Sequence, residues 1–442
     1  MNHSLTYLLI LLLTGIALIV LLTTKFKIPA FFALFFASML VGLGIGLPLV
    51  DVIGVIKDGF GNIMKSLGLV IVLGTALGLL LEYTGSTTVM ARFLLKKLGD
   101  KFAPLAMSIT GFIVGLPIFC DSGFIVLSGL NKSMAQRTGI PIAVMSVSLA
   151  TGLYAVHCLI PPHPGSTAAA VTIGVDFGKL ILTGIFVAMP AMIVGNLWAN
   201  YAGKNSVNVI SVDEIEIDDN AILPSLTRAC LPIIVPIVLI ALKSFLTSGK
   251  TLYPTGFNIL FSLGDPVMAL LIGVLLAINC KKSWKKIEIT KILQDSTEKA
   301  GGILVIIGMG GAFGAILTAA KIGSNLGDSI AIGSLGLFFP FLITSILKTA
   351  QGSSTVAIIT AASIVLPLLP TLGLNSESGK LLCVLAMGAG SMMISHANDA
   401  YFWVIAKFSG LEMKTMLKVY SVATLLMGLT TITMVFILSK IL

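Results

Sequence analysis

His157-Cys158-Leu159-Ile160-Pro161-Pro162-His163-Pro164-Gly165 breaks an otherwise apolar sequence with three prolines, a glycine and two histidines. A proline ring removes a backbone donor and collides with the preceding turn, so no helix continues through this segment. Yet the runs at 140–158 and 179–200 around it are apolar enough to be helices in their own right. The rest of the chain has the same character. Of 442 residues, 56% are apolar without counting glycine, only 11% are charged, and the mean hydropathy is +1.04. Soluble domains carry about 25% charged residues. A soluble fold of this length cannot hide so much apolar surface, whereas a helix of ~20 apolar residues crosses a bilayer with its backbone satisfied within the segment. The sequence therefore predicts an all-α polytopic membrane protein whose unwound segments lie at membrane depth.

Further apolar runs at 5–24, 29–48, 67–83, 104–119, 229–246, 263–280, 301–320, 328–347, 355–373, 380–395 and 415–438 bring the expectation to about 11 to 13 crossings, some of them broken. The first run lacks a basic leader and a small-residue cleavage site, and Lys25 and Lys27 follow it, so it reads as an uncleaved span. Arg92, Lys96, Lys97 and Lys101, and the cluster Lys281, Lys282, Lys285 and Lys286, mark cytoplasmic loops and place the N-terminus outside. The net charge of +9 is the same positive-inside signal rather than a nucleic-acid footprint. The segment 204–228, with Asp213, Glu214, Glu216, Asp218 and Asp219, reads as a solvated connector. Glu82 and Asp176 near run ends read as solvated, and Asp265 before Pro266 as a cap. Glycine pairs Gly42/Gly46, Gly74/Gly78 and Gly310/Gly314 predict close helix approach. The cysteines (Cys120, Cys158, Cys230, Cys280 and Cys383) lack metal spacing and read as packing residues.

Three more segments break the apolar pattern: Gly115-Leu116-Pro117-Ile118-Phe119-Cys120-Asp121-Ser122-Gly123-Phe124, Lys348-Thr349-Ala350-Gln351-Gly352-Ser353-Ser354-Thr355, and Ser395-His396-Ala397-Asn398-Asp399 leading into Phe402-Trp403. Non-helical backbone at membrane depth survives only where it is buried in protein or lines a cavity. Free N–H groups at half-helix starts favour an anion there, while unwound carbonyls and carboxylates favour a cation or a proton. The hydroxyls of Ser353, Ser354 and Thr355 suit a polyhydroxylated solute. Asp121 and Gly352 are 352 − 121 = 231 residues apart, and His163 and His396 are 396 − 163 = 233. This near-constant offset predicts two repeats, 1–203 and 229–442, joined by the connector. Each holds one re-entrant hairpin (near 115–124 and 348–355) and one unwound loop (near 157–165 and 395–400).

Ionisable residues inside a membrane are costly and functional by default. Asp121, His157, His163, Lys348, His396 and Asp399 qualify; the plainer alternatives are a helix-end cap for His157 and an N-cap for Asp399. Histidine titrates where a proton gradient operates, which makes proton coupling chemically natural. No pair is spaced as metal ligands on one helix face. Intramembrane proteolysis is disfavoured, because His-Glu-x-x-His, Gly-x-Ser-Gly and Gly-x-Gly-Asp are all missing. Ser248-Gly249-Lys250-Thr251 mimics the tail of a phosphate-binding loop, but Ser244 stands where its first glycine belongs. A channel fits paired broken repeats less well than alternating access does, and a solute sensor would need a signalling domain.

Three segments carry a resemblance: His157 through Gly165, Gln351-Gly352-Ser353-Ser354-Thr355-Val356-Ala357, and Ser395-His396-Ala397-Asn398-Asp399 with Phe402-Trp403. On these the chain resembles the gluconate permease family of the wider ion-transporter superfamily, from the Phe26-Lys27 junction through Gly264-Asp265-Pro266-Val267-Met268-Ala269 to the end. The resemblance implies proton-linked uptake of gluconate or a related sugar acid, hydroxy acid or D-serine across a bacterial inner membrane. It also implies a homodimer in which a domain bearing two re-entrant hairpins moves as an elevator against a scaffold. There are departures: Lys348 stands where the family tends to carry arginine, Ser166 where proline is frequent, and Ala400-Tyr401 where Pro-Gly is frequent. Arg92, Arg137 and Arg228 are read as lying in loops, which leaves no guanidinium clamp within the membrane.

The expected mechanism follows. The solute's carboxylate sits on half-helix N-termini and Lys348, and its hydroxyls meet Ser353, Ser354, Thr355 and Asn398, with Gln351, Gly352, Ser122, Gly123 and His163 completing the surface. Asp121, His157, His163 or His396 carries the coupling proton, and Asp399 is second choice. The alternatives are D-serine, D-glycerate or another small carboxylate as substrate, or sodium held by Asp121, Ser122, Ser353 and Asn398. The driving force is the proton motive force, the partners are the solute, protons, lipid and a second copy, and no organic cofactor, metal or nucleic acid is expected.

Overall fold

Caps and breakers set the helix boundaries. The computed structural model describes residues 5–99, 102–206, 223–248, 262–281, 283–320, 333–397 and 399–442. In chain order the helices are α1 (Leu5–Thr24), α2 (Ala30–Gly44), α3 (Leu49–Tyr83), α4 (Ser86–Leu98), α5 (Ala103–Gly115), α6 (Cys120–Thr138), α7 (Ile142–Leu159), α8 (Pro164–Ile173) and α9 (Phe177–Gly203). They continue with α10 (Leu226–Ser248), α11 (Pro266–Ile278), α12 (Lys286–Ala319), α13 (Phe338–Gln351), α14 (Ser354–Val365), α15 (Glu377–Met392), α16 (Ala400–Ser409) and α17 (Met413–Leu438). Among the described residues no strand occurs, and six helices are long and apolar enough to cross a membrane. Most of the expected connector, 207–222, lies outside the described residues.

The four predicted breaks are present, and three of them are narrower than expected. Only 116–119 separate α5 from α6, 160–163 separate α7 from α8, and 352–353 separate α13 from α14. The fourth break, between α15 and α16, runs over 393–399. Ile160, before Pro161, is extended at φ −120° and ψ 126°, which ends α7, and Pro164 then opens α8 from a first-turn position that needs no N–H. Gly352 closes α13 at φ +81°, a left-handed turn that glycine adopts without a Cβ penalty, and Ser353 caps α14 by accepting from the Val356 N–H at 3.3 Å. Asp265 caps α11 as expected, accepting from Val267 N–H at 3.0 Å.

Helix starts recur along the chain. From α3 to α12 the offset is 286 − 49 = 237 residues, from α5 to α13 it is 338 − 103 = 235, from α6 to α14 354 − 120 = 234, and from α8 to α16 400 − 164 = 236. Packing follows the same order. Helix α7 lies between α5 and α9 as α15 lies between α13 and α17, while α8 packs on α14 and α16 on α6. Every residue of α7 is buried, so it forms the centre of the molecule. Small residues permit the closest contacts: at Gly152 a Cβ would sit 2.0 Å from the Ser108 carbonyl oxygen, and at Gly59, where α3 meets α12, 2.8 Å from the Ala312 Cα.

Several boundaries depart from the sequence reading. Helix α3 starts at Leu49 rather than 67, and α12 at Lys286 rather than 301. Both extensions carry charges, which a search for apolar runs passes over. Val52, Ile56, Gly59, Ile63, Leu67 and Val70 nevertheless form a buried stripe of helical period along α3. Arg92, Arg137 and Arg228 lie on α4, α6 and α10, not in loops. Glu82 was read as solvated, yet at the end of α3 it turns inward, with its Oε2 buried and unpartnered.

Candidate functional site

Breaking a helix in the membrane interior leaves the first N–H groups of the next helix without intrahelical acceptors. Four such ends converge here. Cys120 and Asp121 of α6, Pro164 of α8, Ser354 and Thr355 of α14, and Ala400 and Tyr401 of α16 all line one cavity of about 570 Å³. The positive ends of four helix dipoles therefore face one space, as suits an anion. Its volume is in the range of small-molecule sites, ~300–1,000 Å³. Two polar groups on its wall have nothing to bond: the buried Gln351 amide has neither its nitrogen nor its oxygen satisfied, and His157 Nδ1 is likewise unpartnered. Buried polar groups are normally paired, so these two stand out among the lining residues.

Of the residues singled out from sequence, Asp121, His157, Gln351, Gly352, Ser353, Ser354, Thr355 and Asp399 come together on this wall. Asn398 lies outside the described residues. Lys348 stands behind the cavity. Its side chain is fully buried, and Nζ donates to Asp399 Oδ2 and to the Gly352 carbonyl, each at 2.7 Å. Asp399 is held further by the Ser395 hydroxyl, and its Oδ1 accepts from the Tyr401 N–H at 2.9 Å as the N-cap of α16. One buried ion pair thus ties the tip of the α13–α14 hairpin to the start of α16. Two charges removed from water are tolerated because each satisfies the other.

His163 and His396 do not reach the cavity wall. His163 Nε2–H donates to the Gly115 carbonyl at 2.7 Å, and His396 Nε2–H to the Thr349 carbonyl at 3.1 Å. Each donates from an unwound loop to a carbonyl near the C-terminal end of a hairpin's first arm, where the helix has no further N–H donors to offer. Gly123 packs against Leu153, where a Cβ would approach to 2.7 Å, and Ser122 accepts at the cavity's rim from Lys299.

Sequence reading missed the α12 wall. Glu298, Lys299, Gly302, Ile303 and Ile306 form one helical face toward the cavity. Lys299 Nζ donates to Ser122 Oγ at 2.9 Å and lies 4.9 Å from the Phe119 ring centroid. Glu82 stands within electrostatic range of both Lys299 and Asp121. The missed signal was a lysine two residues before an apolar run, at helical spacing from Gly302 and Ile306. Tyr154 and Tyr401, stacked with centroids 5.7 Å apart, complete the aromatic side of the cavity. Among the described residues no three His, Cys, Asp or Glu side chains are grouped to hold a metal ion.

A second groove of about 560 Å³ lies elsewhere on the same helices. Asp58, Asn62 and Ser66 of α3, Thr172 near the end of α8, Ala315 and Thr318 of α12, and Leu366 just past α14 line it. The cavity meets the starts of α8 and α14; the groove meets their ends.

The overall architecture matches the solved structure of the Alcanivorax borkumensis YdaH transporter, with a TM-score of 0.56 over 86% of this chain and 87% of that one at 16% identity. That likeness concerns the fold. Over its whole length the chain is 32% identical to the gluconate permease of Pseudomonas aeruginosa, covering 99% of it, and over 99% it is 30% identical to the D-serine transporter DsdX of Escherichia coli O6:H1, covering all of it. The family of GntP permeases matches residues 7–441. The broken helices, the anion-suited cavity and these full-length matches agree, and the chain is a multi-pass membrane permease of the GntP family rather than an enzyme.

Proposed function

We propose that this permease is a secondary transporter that carries gluconate or a related small hydroxy or sugar acid, in symport with protons, across the bacterial inner membrane. The observation that carries the reading is the convergence of four helix N-termini on a cavity that also holds the unpartnered amide of Gln351. Helix N-termini stabilise the carboxylate, and Gln351, Ser354 and Thr355 supply polar groups for hydroxyls. The P. aeruginosa relative is named a gluconate permease, which favours a sugar acid. D-serine is the second reading, because another full-length relative is named a D-serine transporter and the two solutes share a carboxylate.

Asp121 is the coupling group in this proposal, since it lines the cavity in the first turn of α6, near Glu82 and Lys299. His157 is the second choice. Lys348 acts through Asp399 in holding the hairpin tip, and the carboxylate rests on the N-termini instead. The near-constant helix offset supports two repeats around the 204–228 connector, and the paired hairpins support an elevator in a homodimer.

Uptake of labelled gluconate into proteoliposomes under an inward proton gradient without sodium tests the reading. Accumulation abolished by a protonophore is expected, and competition by D-serine and D-glycerate ranks the substrates. Uptake that appears only on adding sodium would replace the proton with a sodium ion. The Asp121→Asn variant is expected to equilibrate gluconate without concentrating it; accumulation at the wild-type level would exclude Asp121 as the coupling group.

A further inference from the structure

We infer that Lys299 of α12 is the residue that selects a carboxylate: it meets the solute's anionic end from the α12 wall, beside the tip of the α5–α6 hairpin, and so distinguishes sugar acids from neutral polyols of the same shape. The inference rests on the transport reading above and adds a named specificity residue to it. Among the described residues two lysines stand near the cavity. Lys348 is fully buried, committed to Asp399, and not on the wall. Lys299 is on the wall and only partly buried, and among the described residues no carboxylate forms an ion pair with it. Its one hydrogen-bonding side chain is the neutral Ser122 hydroxyl, and the Phe119 ring supports it from below. An ammonium has three donors, so two remain for a ligand.

The surroundings leave room at this point. A Cβ at Gly302, one turn along α12, would meet nothing within 4 Å. Ile303 and Ile306 continue the same face without polar atoms, so the polar end of a solute on this side has Lys299 and Glu298 for neighbours. Glu298 repels a carboxylate and is engaged by Gln294, whose Nε2 donates to it at 2.9 Å. Lys299 also sits at the seam between α12 and the start of α6, through Ser122, 177 residues away in sequence. A solute carboxylate bound there bridges α12 to the half-helix N-termini, whereas a neutral polyol leaves the ammonium on Ser122 alone.

The test compares wild type, Lys299→Gln and Lys299→Arg in proteoliposomes, with labelled gluconate as probe and unlabelled gluconate or sorbitol as competitor. Wild type is expected to ignore sorbitol. Loss of a charged hydrogen bond is expected to raise the gluconate KM of Lys299→Gln by about ten- to a hundredfold, with maximal velocity changed far less. The gluconate-over-sorbitol preference narrows by the same factor, and Lys299→Arg keeps most of both. An unchanged KM and preference in Lys299→Gln overturns the assignment while leaving transport intact. If wild type takes up neither gluconate nor D-serine, it is the transport reading that fails. Should Lys299→Gln not fold, gluconate protection of the wild-type Lys299 amine from acylation, read by peptide mass mapping, decides: no protection by gluconate beyond that by sorbitol rejects the role.

Discussion

At the scale of single residues the two lysines beside the cavity show why position outweighs residue type. Lys348 reads from sequence as a ligand for the solute because it is a charge in an apolar run. Its surroundings show a different task, since the ammonium is closed off by Asp399 and the Gly352 carbonyl. Burial of an ion pair adds little net stability, but losing one partner strands the other charge, at a cost of about 3–5 kcal/mol. Lys348→Met and Asp399→Leu are each expected to melt well below wild type in detergent, and the double variant is expected to recover much of the loss. If the double variant melts no higher than either single, the pair is not what holds the α13–α14 tip to α16. Lys348 could be picked out in the sequence because it lies within a hydrophobic stretch. Lys299 could not, because it lies two residues outside the run that begins after it, and its partner Ser122 is 177 positions away.

At the scale of helices, the breaks were legible and the lengths were not. Prolines at 117, 161, 162 and 164 and glycines at 115 and 352 act through local backbone chemistry, so a sequence displays them directly. The first half of α3 is legible only through a 3.6-residue stripe that Asp51, Lys57, Asp58 and Lys65 interrupt to the eye. Asp121 illustrates the same limit, since it was expected in unwound chain and lies instead in the first turn of α6, where the dipole stabilises a carboxylate. Helix approach is likewise a matter of three-dimensional contact, so glycines that look alike in sequence differ in cost. Gly152→Ala drives a Cβ toward the Ser108 carbonyl and is expected to destabilise by about 1–3 kcal/mol through overpacking. Gly68→Ala, on α3 with nothing within 4 Å, is expected to be neutral or to stabilise by up to ~1 kcal/mol. Thermal unfolding of the two variants side by side checks the contrast, and equal shifts would mean that the α5–α7 contact relaxes freely.

For the molecule as a whole, the cavity and the second groove have to be considered together. The cavity uses α12 around Gly302 and the groove uses it around Ala315, 315 − 302 = 13 residues further on, or roughly 20 Å at the helical rise. Across the same distance the lining changes from the starts of α8 and α14 to their ends. At the 237-residue offset between α3 and α12, Asp58 of the groove corresponds to Asp295 and Asn62 to Lys299. On the proposed elevator reading, a repeat-related state is expected to seat the hairpin tip on the α3 side of this groove. Cysteine pairs test this in a background freed of the five native cysteines. Gly302→Cys with Thr355→Cys is expected to be bridged by a short bifunctional maleimide in the state described here. Ser66→Cys with Thr355→Cys is expected to be bridged only while the transporter cycles, and each bridge should stop uptake. A protein that transports gluconate at full rate yet never yields the Ser66–Thr355 bridge, under either direction of gradient, would rule out travel of the hairpin along α12 and α3 and leave a local gate at the cavity as the route of access.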